Sequence, residues 1–182
     1  MKLRNFALLS LTALLFSCAN PLNKATYYRY LETGAQAEKQ RDAKTAEVAY
    51  SRALGNVHIG NLGPEREAEA LFNLGRLERL NGKLDLSLEH LLKSLEIDQN
   101  INNVSLTFVK STMGEIAKTY YDMEKYEEGS VYLDRMFKLD EESFRSGQSK
   151  RFILRIYSDY AEKFRELGQT EKATRYQAIA DS

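Results

Sequence analysis

The 182-residue chain contains one cysteine and two prolines, and its 26 basic side chains are matched by 26 acidic ones. A single cysteine excludes an internal disulfide framework. The absence of excess charge of either sign removes the electrostatic footprint that nucleic acid or another polyanion requires, so no nucleic-acid partner is expected. The two histidines, His58 and His90, have no partner at zinc-site spacing, and each reads as a surface residue, His58 in a loop and His90 on a helix. No G-x-S-x-G elbow, phosphate loop or dinucleotide fingerprint is present. The expectation is therefore a non-enzyme, with no catalytic residue, no metal and no cofactor.

Long hydrophobic runs are also missing. The longest apolar stretch, "FALLSLTALLF", covers the eleven residues Phe6 to Phe16, whereas a helix needs about 20 such residues to span a bilayer. Its flanks point to processing: Lys2 and Arg4 form a charged n-region, the run forms an h-region, and Ser17 is the small residue preceding a cut. "LFSC" resembles the lipobox of bacterial lipoproteins, with Leu15, Ser17 and Cys18 on the pattern and Phe16 bulkier than is usual. The resemblance implies a signal peptide over 1–17, diacylglycerol on Cys18, and a mature chain beginning at Cys18. One acyl chain binds a membrane marginally, at about 0.8 kcal/mol per buried methylene, and two or three give a stable anchor. The same resemblance reads Ala19, in place of aspartate, as a signal for the periplasmic face of the outer membrane.

Removal of Lys2 and Arg4 leaves 24 basic against 26 acidic side chains, a net charge near −2. The stretch to Ala25, "ANPLNKA", reads as a tether of at most about 25 Å, giving a boundary plan of 1–17 signal, 18–25 lipidated cysteine and tether, and 26–182 folded domain.

Four segments align without gaps: "GAQAEKQRDAKTAEVAYSRA", "GRLERLNGKLDLSLEHLLKS", "AKTYYDMEKYEEGSVYLDRM" and "AEKFRELGQTEKATRYQAIA". Small residues recur at Gly34, Gly75, Ala117 and Ala161, then at Ala46, Ser87, Gly129 and Ala173. A third set is Ala53, Ser94, Met136 and Ala180, so eleven of the twelve slots hold Gly, Ala or Ser. This pattern resembles the tetratricopeptide repeat, in which small residues let antiparallel helices approach and large ones fill the space between hairpins. Tyr30, Leu71, Met113 and Tyr157 fall at a large slot of the first helices, and Tyr120 and Phe164 match a tyrosine slot that Ala37 and Glu78 do not. On the second helices Tyr50, Leu91 and Leu133 match the bulky slot and Gln177 does not.

The resemblance implies an all-α, right-handed solenoid of about four helix-turn-helix hairpins. The repeats recur at 41, 42 and 44 residues, longer than the usual 34, which predicts first helices lengthened by about two turns. Helices are expected over 26–40, 43–54, 65–80, 84–97, 103–123, 126–139, 144–167 and 170–181. "GNVHIGNLGPER", with three glycines and a proline, is expected to be a loop. Asp140, Glu141 and Glu142 read as solvated charge at a hairpin end. The polar last helix, with Glu171, Lys172, Arg175, Gln177 and Asp181, is expected to cap the stack.

In the family, partner peptides dock on the groove lined by the first helices. The helical period assigns to that face Tyr28, Leu31 and Ala35; Phe72, Arg76 and Arg79; Ser111, Lys118 and Tyr121; Arg155, Glu162 and Arg165. Of these, Phe72, Arg76, Arg79, Lys118, Tyr121, Arg155 and Arg165 are the candidate partner-binding residues, because arginine forks and aromatic faces are common interface anchors. Glu69, Glu115 and Asp159 lie nearby, so a plain charged surface remains the competing reading. The carboxylate clamp of chaperone-binding members is not reproduced, since Leu31 and Ala35 stand in its first-repeat slots and only Asn73 matches in the second. The expected partner is a protein or peptide of the cell envelope, for example in a pilus, secretion or outer-membrane complex, bound by a lipid-anchored monomer. A self-associating structural lipoprotein is the alternative, followed by a small-molecule binder or enzyme.

Overall fold

The computed structural model describes residues 20–102, 105–139 and 149–182. The signal peptide expected over 1–17, Cys18 and the run Asp140, Glu141 and Glu142 lie outside these residues, as do the expected helix starts over 103–104 and 144–148.

Eight helices occupy the described residues: α1 Pro21–Lys39, α2 Ala43–Gly60, α3 Pro64–Leu80, α4 Leu84–Asn100, α5 Leu106–Asp122, α6 Tyr126–Leu139, α7 Ser149–Glu166 and α8 Thr170–Ala180. They pair as four hairpins, α1 with α2, α3 with α4, α5 with α6 and α7 with α8. Each later first helix packs on the preceding second helix, and α5 also meets both α3 and α7. No described helix is long and apolar enough to cross a membrane.

The four hairpin turns are built alike. Arg41, Gly82, Glu124 and Gly168 all take the left-handed conformation, with φ between 60° and 75°. The next residue's amide then closes the turn: Asp42 N–H donates to the Ala37 carbonyl, Lys83 to Glu78, Lys125 to Tyr120 and Gln169 to Phe164, at 2.8 to 2.9 Å. This is the hydrogen-bonded end by which a helix satisfies its last carbonyls. It recurs at the spacing read from the sequence.

The small-residue slots lie where helices approach. Eleven of the twelve are buried, and Ala180 is half-buried. A Cβ on Gly34 would sit 2.6 Å from the Tyr50 ring, and one on Gly75 would sit 2.8 Å from Leu91, so these side chains fill space that the glycines vacate.

Two starts and ends differ from expectation. Residues 21–25, read as tether, form the first turns of α1: the Asn20 side chain accepts a hydrogen bond from Leu22 N–H at 3.0 Å and Pro21 stands at the helix start, both favourable helix beginnings. The Asn20 amide also donates to the Gly60 carbonyl at 3.0 Å. The expected loop after residue 54 is instead the last turns of α2, because Val57 is buried with Tyr27, Ala53, Leu62 and Ala70 and Gly60 presses against Asn23 too closely for a side chain. Left-handed Asn61 ends the helix. The first helices are long, at 17 to 19 residues, and α2 and α4 are as long, at 18 and 17.

The core is uneven along the stack. The first two hairpins enclose small clusters around Tyr27, Val57 and Leu62 and around Tyr50, Leu74 and Leu77. A larger cluster runs from Leu91 in α4 to Tyr176 in α8 and contains Tyr157, Tyr160 and Phe164, none of them exposed. Tyr157 and Tyr176 meet edge to face at 5.4 Å, a favoured aromatic geometry. On the outer helix, Lys172 pairs with Glu127 and Arg175 with Asp134, so α8 is tied to α6 by charged side chains beside its buried Ala173 and Tyr176.

Candidate functional site

The first helices α3, α5 and α7 bring the expected binding residues along one line of the stack, and much of their charge is already paired. Arg76 donates two 2.6 Å hydrogen bonds to the two oxygens of Glu38 on α1, and Tyr50 donates to the same carboxylate at 2.5 Å. Burial works against the charged Glu38, but the bonds from Arg76 and Tyr50 outweigh it and hold the carboxyl below its usual range. Arg79, 9 % exposed at its side chain, bridges Glu115 at 3.2 Å and Asp122 at 2.9 Å. These arginines join successive hairpins.

Lys118 stands over the Phe152 ring at 4.9 Å and lies 3.8 Å from Glu115. Burial pushes its ammonium below the usual lysine range, with Arg79 and Arg76 adding to the effect and Glu115 and Asp122 opposing it. Lys118 and Tyr121 line a cleft of about 130 Å³ between α5 and α7, with Asp122, Ile156, Asp159 and Tyr160. Burial raises the Asp159 carboxyl against the pull of Arg155 and Lys118. Arg155 and Arg165 are exposed, and Arg165 reaches Gln177 at 3.4 Å. Phe72 leaves this line and packs against Phe108, with ring centroids 5.1 Å apart.

Phe108 leads to a second cleft, of about 630 Å³, lined by Glu65 and Glu69 of α3, Asp98 of α4, Ile101, Asn102 and Ser105 of the link, and Thr107, Phe108 and Ser111 of α5. Asp98 is 2 % exposed, and its Oδ2 has no hydrogen-bond partner among the described residues. Burial alone pushes its carboxyl up to about 6. Glu69 accepts a 2.5 Å hydrogen bond from the Tyr27 hydroxyl, and burial together with that bond drives the Tyr27 phenol upward. The sequence reading missed Asp98, which stands in a polar helix end where a solvated side chain is the ordinary expectation.

The histidines differ from expectation. His58 lies in the last turn of α2, exposed and 3.2 Å from Glu67. His90 is half-buried, its Nδ1 2.7 Å from Glu78, and that hydrogen bond raises its pKa against the effect of burial. Glu78, at a slot usually held by tyrosine, is itself buried, so His90 is its partner inside the second hairpin. Among the described residues no group of three or more His, Cys, Asp and Glu side chains is arranged to hold a metal ion.

No protein-family model matches the sequence, and no curated protein matches it. Solved structures do. The nearly identical TPR-like repeats of a Podosopora anserina protein assigned as a kinesin light chain superpose with a TM-score of 0.64 at 13 % identity, over 85 % of this chain and 73 % of that one. The N-terminal domain of stress-induced protein-1 from C. elegans superposes with a TM-score of 0.53 at 14 % identity, over 75 % of this chain and 98 % of that one. The fold is a tetratricopeptide-like helical solenoid.

Proposed function

We propose that this chain is a non-enzymatic scaffold that docks a protein or peptide along the face made by α3, α5 and α7, and that Cys18 anchors it by lipid in the cell envelope. The observation that carries the docking reading is the cleft of about 130 Å³ beside Lys118 and Tyr121 on that face, with a second of about 630 Å³ beside Phe108, between α3, α4 and α5. Clefts of the larger size suit recognition of a side chain or short segment. Pairing changes the role of two of the expected anchors: Arg76 and Arg79 hold the hairpins together, which leaves Lys118, Tyr121, Arg155 and Arg165 to meet the partner. Assembly of a pilus, secretion or outer-membrane complex is the setting that such an anchored scaffold would serve. The signal-peptide pattern and Cys18 support the anchor.

Photocrosslinking in cells from Phe72, Tyr121, Arg155 and Arg165 tests the docking face, and a defined partner captured from these positions is expected. Capture restricted to the outer helices α4 and α6 would defeat it. For the anchor, Cys18→Ala is expected to release the protein from the membrane fraction, and retention there would defeat the lipid assignment.

A further inference from the structure

The larger cleft has an unusual charge balance. Among the described residues, three of its nine lining residues are acidic and none is basic, and no ion pair involves Glu65, Glu69 or Asp98. Asp98 makes this balance costly, because a carboxylate oxygen is held out of water without a hydrogen-bond partner. Buried polar groups are almost always satisfied, and an orphan on a cleft wall marks a place where a ligand or water completes the set.

The chemistry of that ligand follows from the walls. A metal ion needs convergent ligands, and the acidic side chains here are not arranged to hold one. They are dispersed around a cleft with Ile101 and Phe108 in its lining. A cation on a flexible apolar stem fits such a lining: its methylenes cover the apolar side chains while its donors reach the carboxylates, and an aromatic face adds attraction for the charge. Lysine and arginine side chains have this form.

We propose that the cleft between α3, α4 and α5 receives a lysine or arginine side chain of a bound peptide, with buried Asp98 as its counter-ion and Glu65 and Glu69 beside it. This assignment rests on the peptide-docking reading above and specifies its partner as basic at this point. Phe72, on α3, packs at a tilt against Phe108 of the cleft wall. Asp98 is a binding residue in this arrangement, and the peptide supplies the partner that the described residues do not.

The test is selection of a random dodecapeptide library on the immobilised full chain, followed by titration of the enriched peptides against wild type, Asp98→Asn and Glu69→Gln. Enriched peptides are expected to share a lysine or arginine and to bind Asp98→Asn about tenfold or more weakly, as loss of one partner of a buried charge pair does. Asp98→Asn is expected to melt no lower than wild type, which separates lost binding from lost folding. Enriched peptides without a basic residue, or affinity unchanged in Asp98→Asn, would overturn the cleft assignment and leave the docking scaffold standing. Failure to enrich any peptide would overturn the cleft assignment and leave the docking of a folded protein to the crosslinking above. Spermidine binding measured by calorimetry without peptide enrichment would assign the cleft to a free polyamine and overturn the peptide assignment.

Discussion

The Tyr160 hydroxyl occupies the space that a Cβ on Gly129 would fill. From α7 this hydroxyl donates a 2.7 Å hydrogen bond to the Ala117 carbonyl of α5, so one tyrosine closes the gap between two hairpins where the chain carries no side chain. Gly129→Ala is expected to destabilise by about 2 to 4 kcal/mol, through overpacking and loss of a buried hydrogen bond. Tyr160→Phe in the same chain should recover part of that loss, because the overlapping oxygen is gone. Urea unfolding of the single and double variants checks it, and additive losses would sink the explanation.

The repeated left-handed turn makes a prediction of opposite sign for different residues. Arg41 and Glu124 carry side chains in a conformation that costs an L-residue roughly 1 kcal/mol, whereas Gly82 and Gly168 do not. Glu124→Gly and Arg41→Gly are expected to stabilise by about 0.5 kcal/mol each, the relief being partly offset by glycine's greater freedom when unfolded. Gly82→Ala and Gly168→Ala should destabilise by about 1 kcal/mol. Thermal melts of the four variants give the signs directly.

Asp98 should leave a mark on the pH dependence of stability. Its carboxyl is raised to about 6 in the fold, against roughly 3.9 in an unfolded chain, so the native state binds the proton more tightly. Ionisation of Asp98 therefore lowers stability as pH rises from about 4 to about 6, and the full loss is present above that window. Asp98→Asn is expected to be more stable than wild type by about 1 to 3 kcal/mol at pH 7.5, and the difference should shrink towards zero near pH 4. Denaturant titrations at both pH values decide it.

Arg76 and Glu38 predict the reverse slope. Glu38 is held below its usual range, so its contribution is present above the unfolded glutamate value of about 4.3 and is lost as pH falls through the lower folded value. Arg76→Met should cost about 1 to 3 kcal/mol near neutrality, with the cost fading in acid. Glutamate at Arg76 or Arg79 would set like charges against Glu38 or Glu115, so those substitutions test folding and say nothing of docking. Arg155→Glu with Arg165→Glu, both on exposed positions, should change stability by less than about 0.5 kcal/mol while abolishing partner capture; capture that persists would remove these residues from the docking face.

The repeat frame was legible because it is carried by residue size. Gly34, Gly75, Gly129 and Ser87 are small where a larger side chain would collide, and that requirement is local enough to read at fixed spacing. The end of α2 was hidden because Gly55 and Gly60 look like helix breakers, while the gain that keeps the helix going is burial of Val57 against a tyrosine 30 residues earlier. The arginines of the docking face and the acid Glu115 were visible, whereas Glu38, the partner of Arg76, was not, since it lies on another hairpin. Asp98 was unreadable for a related reason: its burial and the cleft beside it exist only in the folded stack.

The uneven core has a consequence for the order in which the chain takes shape. The extended aromatic cluster runs from the second hairpin through the third and fourth, and the first hairpin contributes only to small clusters shared with its neighbour. Synthesis therefore delivers the weakly buttressed end first, and that end gains its support when the later helices arrive. Amide hydrogen exchange should follow the same gradient, with α1 and α2 opening fastest and α5 and α7 slowest, so that the solenoid frays from its beginning and holds from its end.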